Sequence, residues 1–264
     1  MDQGDEGRWC RVNFLSDALG YIFTASHWTG SSGLGTRIGE HLEYTVIAVL
    51  AAVVIAVPMG LFIGHTGRGT FLVVSAVNAL RALPTLGVLL LGVLLWGLGL
   101  LPPTVALLLL GVPPLLAGTY SGVANVDRTV VEAARAMGMT ERQVLFGVEV
   151  PNALPLMLSG LRTATLQIVA TATVAAYASL GGLGRYLIDG IKVRQFHLAL
   201  VGAIMVTALA LLLDAFLAFA VWLSAPGTGR LRTVAALTDG AGRVSSGGRG
   251  SRGTQFARSP TVDG

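Results

Sequence analysis

Few residues in this chain of 264 are placed to do chemistry. The four histidines, His27, His41, His65 and His197, fall in different segments, with no spacing that would gather ligands around a metal ion. A single cysteine, Cys10, permits neither an intrachain disulfide nor a Cys-based metal site and reads as an inert thiol. No apolar stretch precedes it, so no signal peptide or lipid-attachment box is readable there. A phosphate-cradling loop ends in Gly-Lys-Ser/Thr, whereas the sole lysine, Lys192, stands between Ile191 and Val193. What remains are charges stranded in apolar sequence, Arg81, Arg162 and Asp214, and a dense polar island over 127–151. An ionisable group inside a membrane span is a functional candidate by default.

Composition dictates the elements that must carry these residues. Hydrophobic residues make up 53% of the chain and charged residues only 12%, with a mean hydropathy of +0.71. Soluble domains carry about 25% charged residues, so both an ordinary soluble fold and general disorder are excluded. The formal charge of +4 arises entirely after Pro226, from Arg230, Arg232, Arg243, Arg249, Arg252 and Arg258 against Asp239 and Asp263. The body is neutral, and no nucleic-acid surface is implied.

A bilayer crossing needs about 20 mostly apolar residues. The gaps between charges predict an all-α polytopic membrane protein with about five spans, near 44–64, 78–98, 102–123, 152–177 and 197–223. Gly97, Gly99, Pro102 and Pro103 mark a turn between the second and third. Pro84, Pro113, Pro114 and Pro155 predict kinked, bundled helices. The small and hydroxylated run 159–167, with Thr165 and Gln167, and Thr171 to Thr173 predict close helix approach. Three regions follow: an N-terminal segment 1–43 with a short amphipathic helix around Phe14 to Phe23, a membrane domain 44–225, and a basic, disordered tail 226–264.

The island between the third and fourth spans is the most informative stretch. Asp127 caps one short helix, Gly138 ends it in the left-handed conformation, and Thr140 with Gln143 forms a capping box that starts a second. Pro151 opens the next span. Val130, Ala133, Ala134, Met137, Val144, Leu145 and Val148 give the pair apolar faces, suited either to a partner or to packing on their own bundle.

Glu132-Ala133-Ala134, with Gly138 six residues after the Glu and Val148-Glu149-Val150-Pro151 beyond, resembles the EAA loop of permease subunits in binding-protein-dependent ABC importers. Five stretches, Gly64–Gly69, Asn78–Gly87, Ala133–Thr140, Arg162–Gln167 and Leu180–Gly190, are similar to the glycine betaine and choline branch of that family. The similarity covers about residues 12–225; the tail resembles nothing recognisable. The resemblance implies a multi-pass permease of a bacterial cell membrane, not itself an enzyme, whose coupling loop is cytoplasmic and enters a cleft of a separate ATPase. Glu132, Ala133, Ala134, Gly138 and Pro151 are the coupling candidates. The implied partners are the ATPase, an extracytoplasmic substrate-binding protein, a second permease copy or paralogue, and membrane lipid. No cofactor or metal is expected on this chain, since ATP is used by the partner.

With the loop cytoplasmic, Arg68, Arg128, Arg135, Arg142, Arg230 and Arg232 lie inside, against Arg37, Arg185, Lys192 and Arg194 outside, a margin in the expected direction. The N-terminus is then outside and the C-terminus inside. Arg81, Tyr120, Thr165, Gln167, Tyr177 and Asp214 are the pathway or gate candidates. Each has a plainer reading: snorkelling for Arg81 and for Arg162, core packing for the tyrosines, and a structural partner for Asp214, with Arg81 as the pairing to test. The same scaffold would suit another small zwitterion or an amino acid. An integral-membrane enzyme is the third reading, and it lacks a clustered set of ionisable groups.

Overall fold

The computed structural model describes the backbone of residues 6–178 and 180–224, with side chains from residue 14 onward other than 72–74, 76 and 81. The expected basic tail and the first five residues lie outside the described residues. Ten α-helices are described: α1 Glu6–Phe23, α2 Leu34–Thr66, α3 Thr70–Ala82, α4 Thr85–Trp96, α5 Leu101–Ala124, α6 Arg128–Ala136, α7 Glu141–Val144, α8 Val150–Thr171, α9 Gly184–Lys192 and α10 Phe196–Ser224. No strand occurs among the described residues.

Four helices are long and apolar enough to cross a membrane: α2, α5, the continuous stretch Glu141–Ala178 that contains α8, and α10. Their boundaries fall close to the predicted spans, with two exceptions. Helix α2 begins ten residues before the predicted span at Tyr44, because the charges that close the apolar window, Arg37, Glu40 and Glu43, ride on the same helix. At 1.5 Å per residue its 33 residues run about 50 Å, well beyond a hydrocarbon core of about 30 Å. The predicted crossing at 78–98 is two short helices instead of one. Proline disfavours helical geometry in the residue before it, and Leu83 accordingly turns extended (φ −73°, ψ 129°) between α3 and α4.

Three helices, α2, α5 and α8, form the centre of the bundle. Ala52 and Ala56 of α2 meet Val112, Leu115 and Leu116 of α5 and Ala164 of α8, and Val77 of α3 closes this layer. Glycine makes the approach possible. A Cβ on Gly118 of α5 would stand 2.7 Å from the Cα of Gly160 in α8, and one on Gly60 of α2 would stand 2.7 Å from the Cβ of Thr119. Such small-residue contacts let membrane helices gain dispersion energy where lipid offers no hydrophobic drive. The hydroxyls of this run bond within their own helix, Thr163 donating to Ser159 O and Thr165 to Leu161 O. In lipid that is the nearest available acceptor. The helix predicted around Phe14 to Phe23 forms within α1, longer than predicted; Ala18 packs against Leu34 and Val201, while Leu15, Leu19 and Phe23 are exposed.

Candidate functional site

Between α5 and α8 the chain leaves the bundle in two short helices, and each predicted cap is present. The Asp127 carboxylate accepts from the Thr129 N–H at 2.9 Å and from the Thr129 hydroxyl. Those bonds hold its carboxyl below the usual range, the hydroxyl bond first and the backbone bond second. At the other end of α6, Gly138 sits at φ +86°, its N–H bonded to Arg135 O and that of Met139 to Ala134 O, a Schellman ending. The Gln143 side chain accepts from the Thr140 N–H at 2.8 Å to start α7.

The two open readings of the apolar residues are both realised, on different faces. Val131, Ala134 and Val144 are buried together, with Val126, Met139 and Val148 packed around them. Val130 and Met137 face outward, exposed by 47% and 77%, and Ala133 shares that exposed side, whereas Glu132 is exposed toward a polar cavity. Phe146 adds a further outward ring at 59%. Ala133 and Ala134 therefore divide the labour: one is presented and the other anchors. Pro151 is exposed in the first turn of α8.

The junction from α7 into α8 is not regular. Leu145–Glu149 forms a π-helical turn, with the Val150 N–H bonded to Leu145 O. In an α-helix residues five apart would diverge by about 140°, whereas i→i+5 bonding stacks them. Val144 and Glu149, five apart, are accordingly both buried. Glu149 points at the last turn of α2, where its Oε2 lies 2.6 Å from His65 Nδ1, and the other ring nitrogen of His65 lies 3.2 Å from Glu141 Oε2. Arg135 grips Glu141 with two parallel bonds of 3.0 and 2.9 Å. A polar cavity of about 530 Å³ opens beside these groups, lined among others by His65, Asn125, Arg128, Glu132, Arg135 and Glu149. This cluster was not among the sequence candidates. Its signal was present, however: Glu149 is a lone carboxylate in the apolar run Leu145 to Pro151.

The six pathway candidates are not brought together. Tyr120 lines the cavity beside His65, near the end of α5. Thr165 is buried and bonded within its helix, and Gln167 is exposed on α8. Tyr177 is exposed in a 3₁₀ segment, Ala172–Ala178, and lines a cleft of about 170 Å³ with Lys192. Arg81 lies in the last turn of α3, with its side chain outside the described residues. Asp214 is paired, but the partner is Arg162 rather than Arg81: Nε and Nη2 of Arg162 reach its two oxygens at 2.5 and 2.7 Å. Arg162 thus does not snorkel to the surface. A bidentate carboxylate on the facing helix satisfies its fork at lower cost.

At the opposite end of the bundle the glycine loop after the 3₁₀ segment folds onto α2. Glu40 accepts from the Gly182 N–H at 2.7 Å and from Arg37 at 2.9 Å, and a Cβ on Gly181 would collide with the same carboxylate. Tyr186 of α9 donates to Ser32 O, and burial pushes its hydroxyl up to about 12. His41 Nε2 lies 3.0 Å from Val169 O of α8.

Residues 52–221 match the family described as the binding-protein-dependent transport system inner membrane component. The chain is 35% identical over 190 residues to the glycine betaine/carnitine/choline transport system permease protein OpuCB of Bacillus subtilis (strain 168), covering 72% of this chain and 88% of that one. It is also 35% identical over 188 residues to the osmoprotectant import permease protein OsmY of Salmonella typhimurium, covering 70% and 78%. The fold is shared with the MetNI methionine ABC transporter in an inward-facing conformation, at a TM-score of 0.65 and 21% identity over 73% of this chain and 96% of that one. With its five expected crossings realised as four long helices and one broken one around a hinged two-helix loop, this chain belongs to the inner-membrane permease family of binding-protein-dependent transport systems.

Proposed function

We propose that this chain is the permease subunit of an ATP-driven importer for a quaternary-ammonium osmoprotectant such as glycine betaine, carnitine or choline. The observation that carries the coupling role is the outward row of Val130, Ala133 and Met137 on a helix anchored along its adjoining stripe by Val131 and Ala134. An apolar row left exposed on a polar loop is what a partner's cleft would cover. The partner is a separate ATPase, since the chain has no Gly-Lys-Ser/Thr loop. A substrate-binding protein delivers solute to the other end, and a second permease, copy or paralogue, completes the passage. Family membership and the solutes for which its relatives are named support the solute class.

The test is reconstitution of the chain with its ATPase and binding protein in proteoliposomes, followed by uptake of glycine betaine, carnitine, choline and a set of amino acids. ATP-dependent uptake confined to the quaternary ammonium solutes is expected. Uptake of amino acids alone would replace the substrate, and no uptake of any solute would refute the reading. Met137→Glu places a charge in the docking row and should weaken ATPase association by about thirty-fold, equivalent to about 2 kcal/mol at an interface hot spot. Undiminished co-purification would remove α6 from the docking surface.

A further inference from the structure

The coupling loop has its own apolar cluster, and no residue of α2 belongs to it. Helix α2 is instead locked to α5 at this end, where a Cβ on Gly64 would stand 2.6 Å from the Cβ of Val123. Between α2 and the loop lies the polar cavity, and the groups that bridge it are polar. Arg135 of α6 holds Glu141 of α7, Glu141 faces one ring nitrogen of His65, and Glu149 of the π-turn faces the other. The His65 and Glu149 side chains are 14% and 7% exposed, so solvent screens this contact less than a surface pair. One imidazole thus ties the last turn of a membrane helix to α7 and to the π-turn, and through Glu141 to Arg135 of α6.

We propose that His65, held between Glu149 and Glu141, is the positioning residue that transmits displacement of the coupling loop to α2. The inference rests on the permease reading above. Packing carries a displacement of the loop to α2 only indirectly, through α5 at the Gly64–Val123 contact, whereas the His65 link joins α2 directly to α7 and the π-turn. The His65 link makes α2 follow, and α2 with α5 and α8 forms the centre of the bundle. Loss of the link therefore separates hydrolysis from solute movement without removing the ATPase docking row, which lies on the other face of α6.

The experiment uses the complete reconstituted transporter and reads two quantities together, solute taken up and ATP hydrolysed in response to loaded binding protein. Wild-type uptake in the same vesicles is read first; its absence refutes the permease reading and not the link. His65→Ala and Glu149→Gln should each lower solute moved per ATP by about ten-fold, within the span of ordinary coupling energies, while ATPase association is retained. Glu141→Gln, at an exposed side chain that leaves the fold intact, should lower it by a smaller factor in the same direction. His65→Ala combined with Glu149→Gln should be no worse than His65→Ala alone. An unchanged solute-to-ATP ratio in His65→Ala and Glu141→Gln overturns the proposal, and so does a parallel fall in uptake and hydrolysis.

Discussion

The Arg162–Asp214 pair can be weighed from its depth. Both helices meet the coupling end of the bundle, α8 with its first residue and α10 with its last. Arg162 lies twelve residues into α8 and Asp214 ten residues from the end of α10, about 18 and 15 Å along their axes. Those depths agree with one another and place the pair near the middle of a core of about 30 Å. Removing one partner there strands the other. A lone Arg or Asp at a helix centre costs about 2.5–3.5 kcal/mol on insertion scales, and these side chains, 38% and 27% exposed in the protein, are open to that apolar surround. The two singles are not equivalent. Arg162 left alone has a long stem with which to snorkel, whereas a short Asp214 must stay at depth or take up a proton. Arg162→Leu should therefore cost about 3 kcal/mol, Asp214→Leu about 2 kcal/mol, and the double replacement under about 1 kcal/mol. In a thermal melt of the detergent-purified complex, at about 2–4 °C per kcal/mol, Arg162→Leu should lower the midpoint by about 10 °C and the double change should restore most of it. A double variant as unstable as Arg162→Leu, or an Asp214→Leu variant worse than Arg162→Leu, would refute the reasoning.

Two further outcomes follow from close geometry. Gly118→Ala places a methyl 2.7 Å from the Cα of Gly160 and 2.9 Å from Leu156 O, atoms that cannot rotate away. It should destabilise by about 1–3 kcal/mol in the same melt, while Gly147→Ala, with only the Met139 methyl at 3.5 Å, should be tolerated. The Asp127 cap has a pH signature. Its folded carboxyl is depressed by the Thr129 bonds, so the cap's contribution is complete above the unfolded value and is lost as pH falls from about 3.9 through the lower folded value. Amide exchange at Val130 and Val131, both bonded to Asp127 O, should show protection falling in that window, and Asp127→Asn should abolish the pH dependence.

The sequence made local structure legible wherever a single residue type has one physical use. Asp127, Gly138, Thr140 and Gln143 each cap as their chemistry requires, and the loop follows from them without knowledge of the bundle. The apolar windows located the spans for the same reason. Two properties were not legible. Helix α2 outruns its window because charge marks where lipid ends and not where hydrogen bonding ends. Asp214 could not be matched to Arg162 from sequence, since 52 residues separate them and Arg81 was an equal match by type. Depth measured from a shared end of the bundle decides between such partners, and depth needs the fold.

The His65 cluster was hidden by a subtler fact. Glu149 sits eight residues after Glu141, and on a continuous α-helix that spacing repeats after about 80°, so a helical reading puts the two carboxylates on neighbouring but different lines. The π-turn over Leu145–Glu149 changes that phase. It turns Glu149 inward toward α2 while leaving Phe146 exposed, and it lets α8 continue with Ala153 and Gly160 buried against α5. A regular helix could satisfy the loop's packing or the span's packing, but the residues at 144, 149, 153 and 160 would drift off one stripe. One wider turn reconciles the two faces, and it does so at the boundary where the two-helix loop joins a helix packed in the bundle.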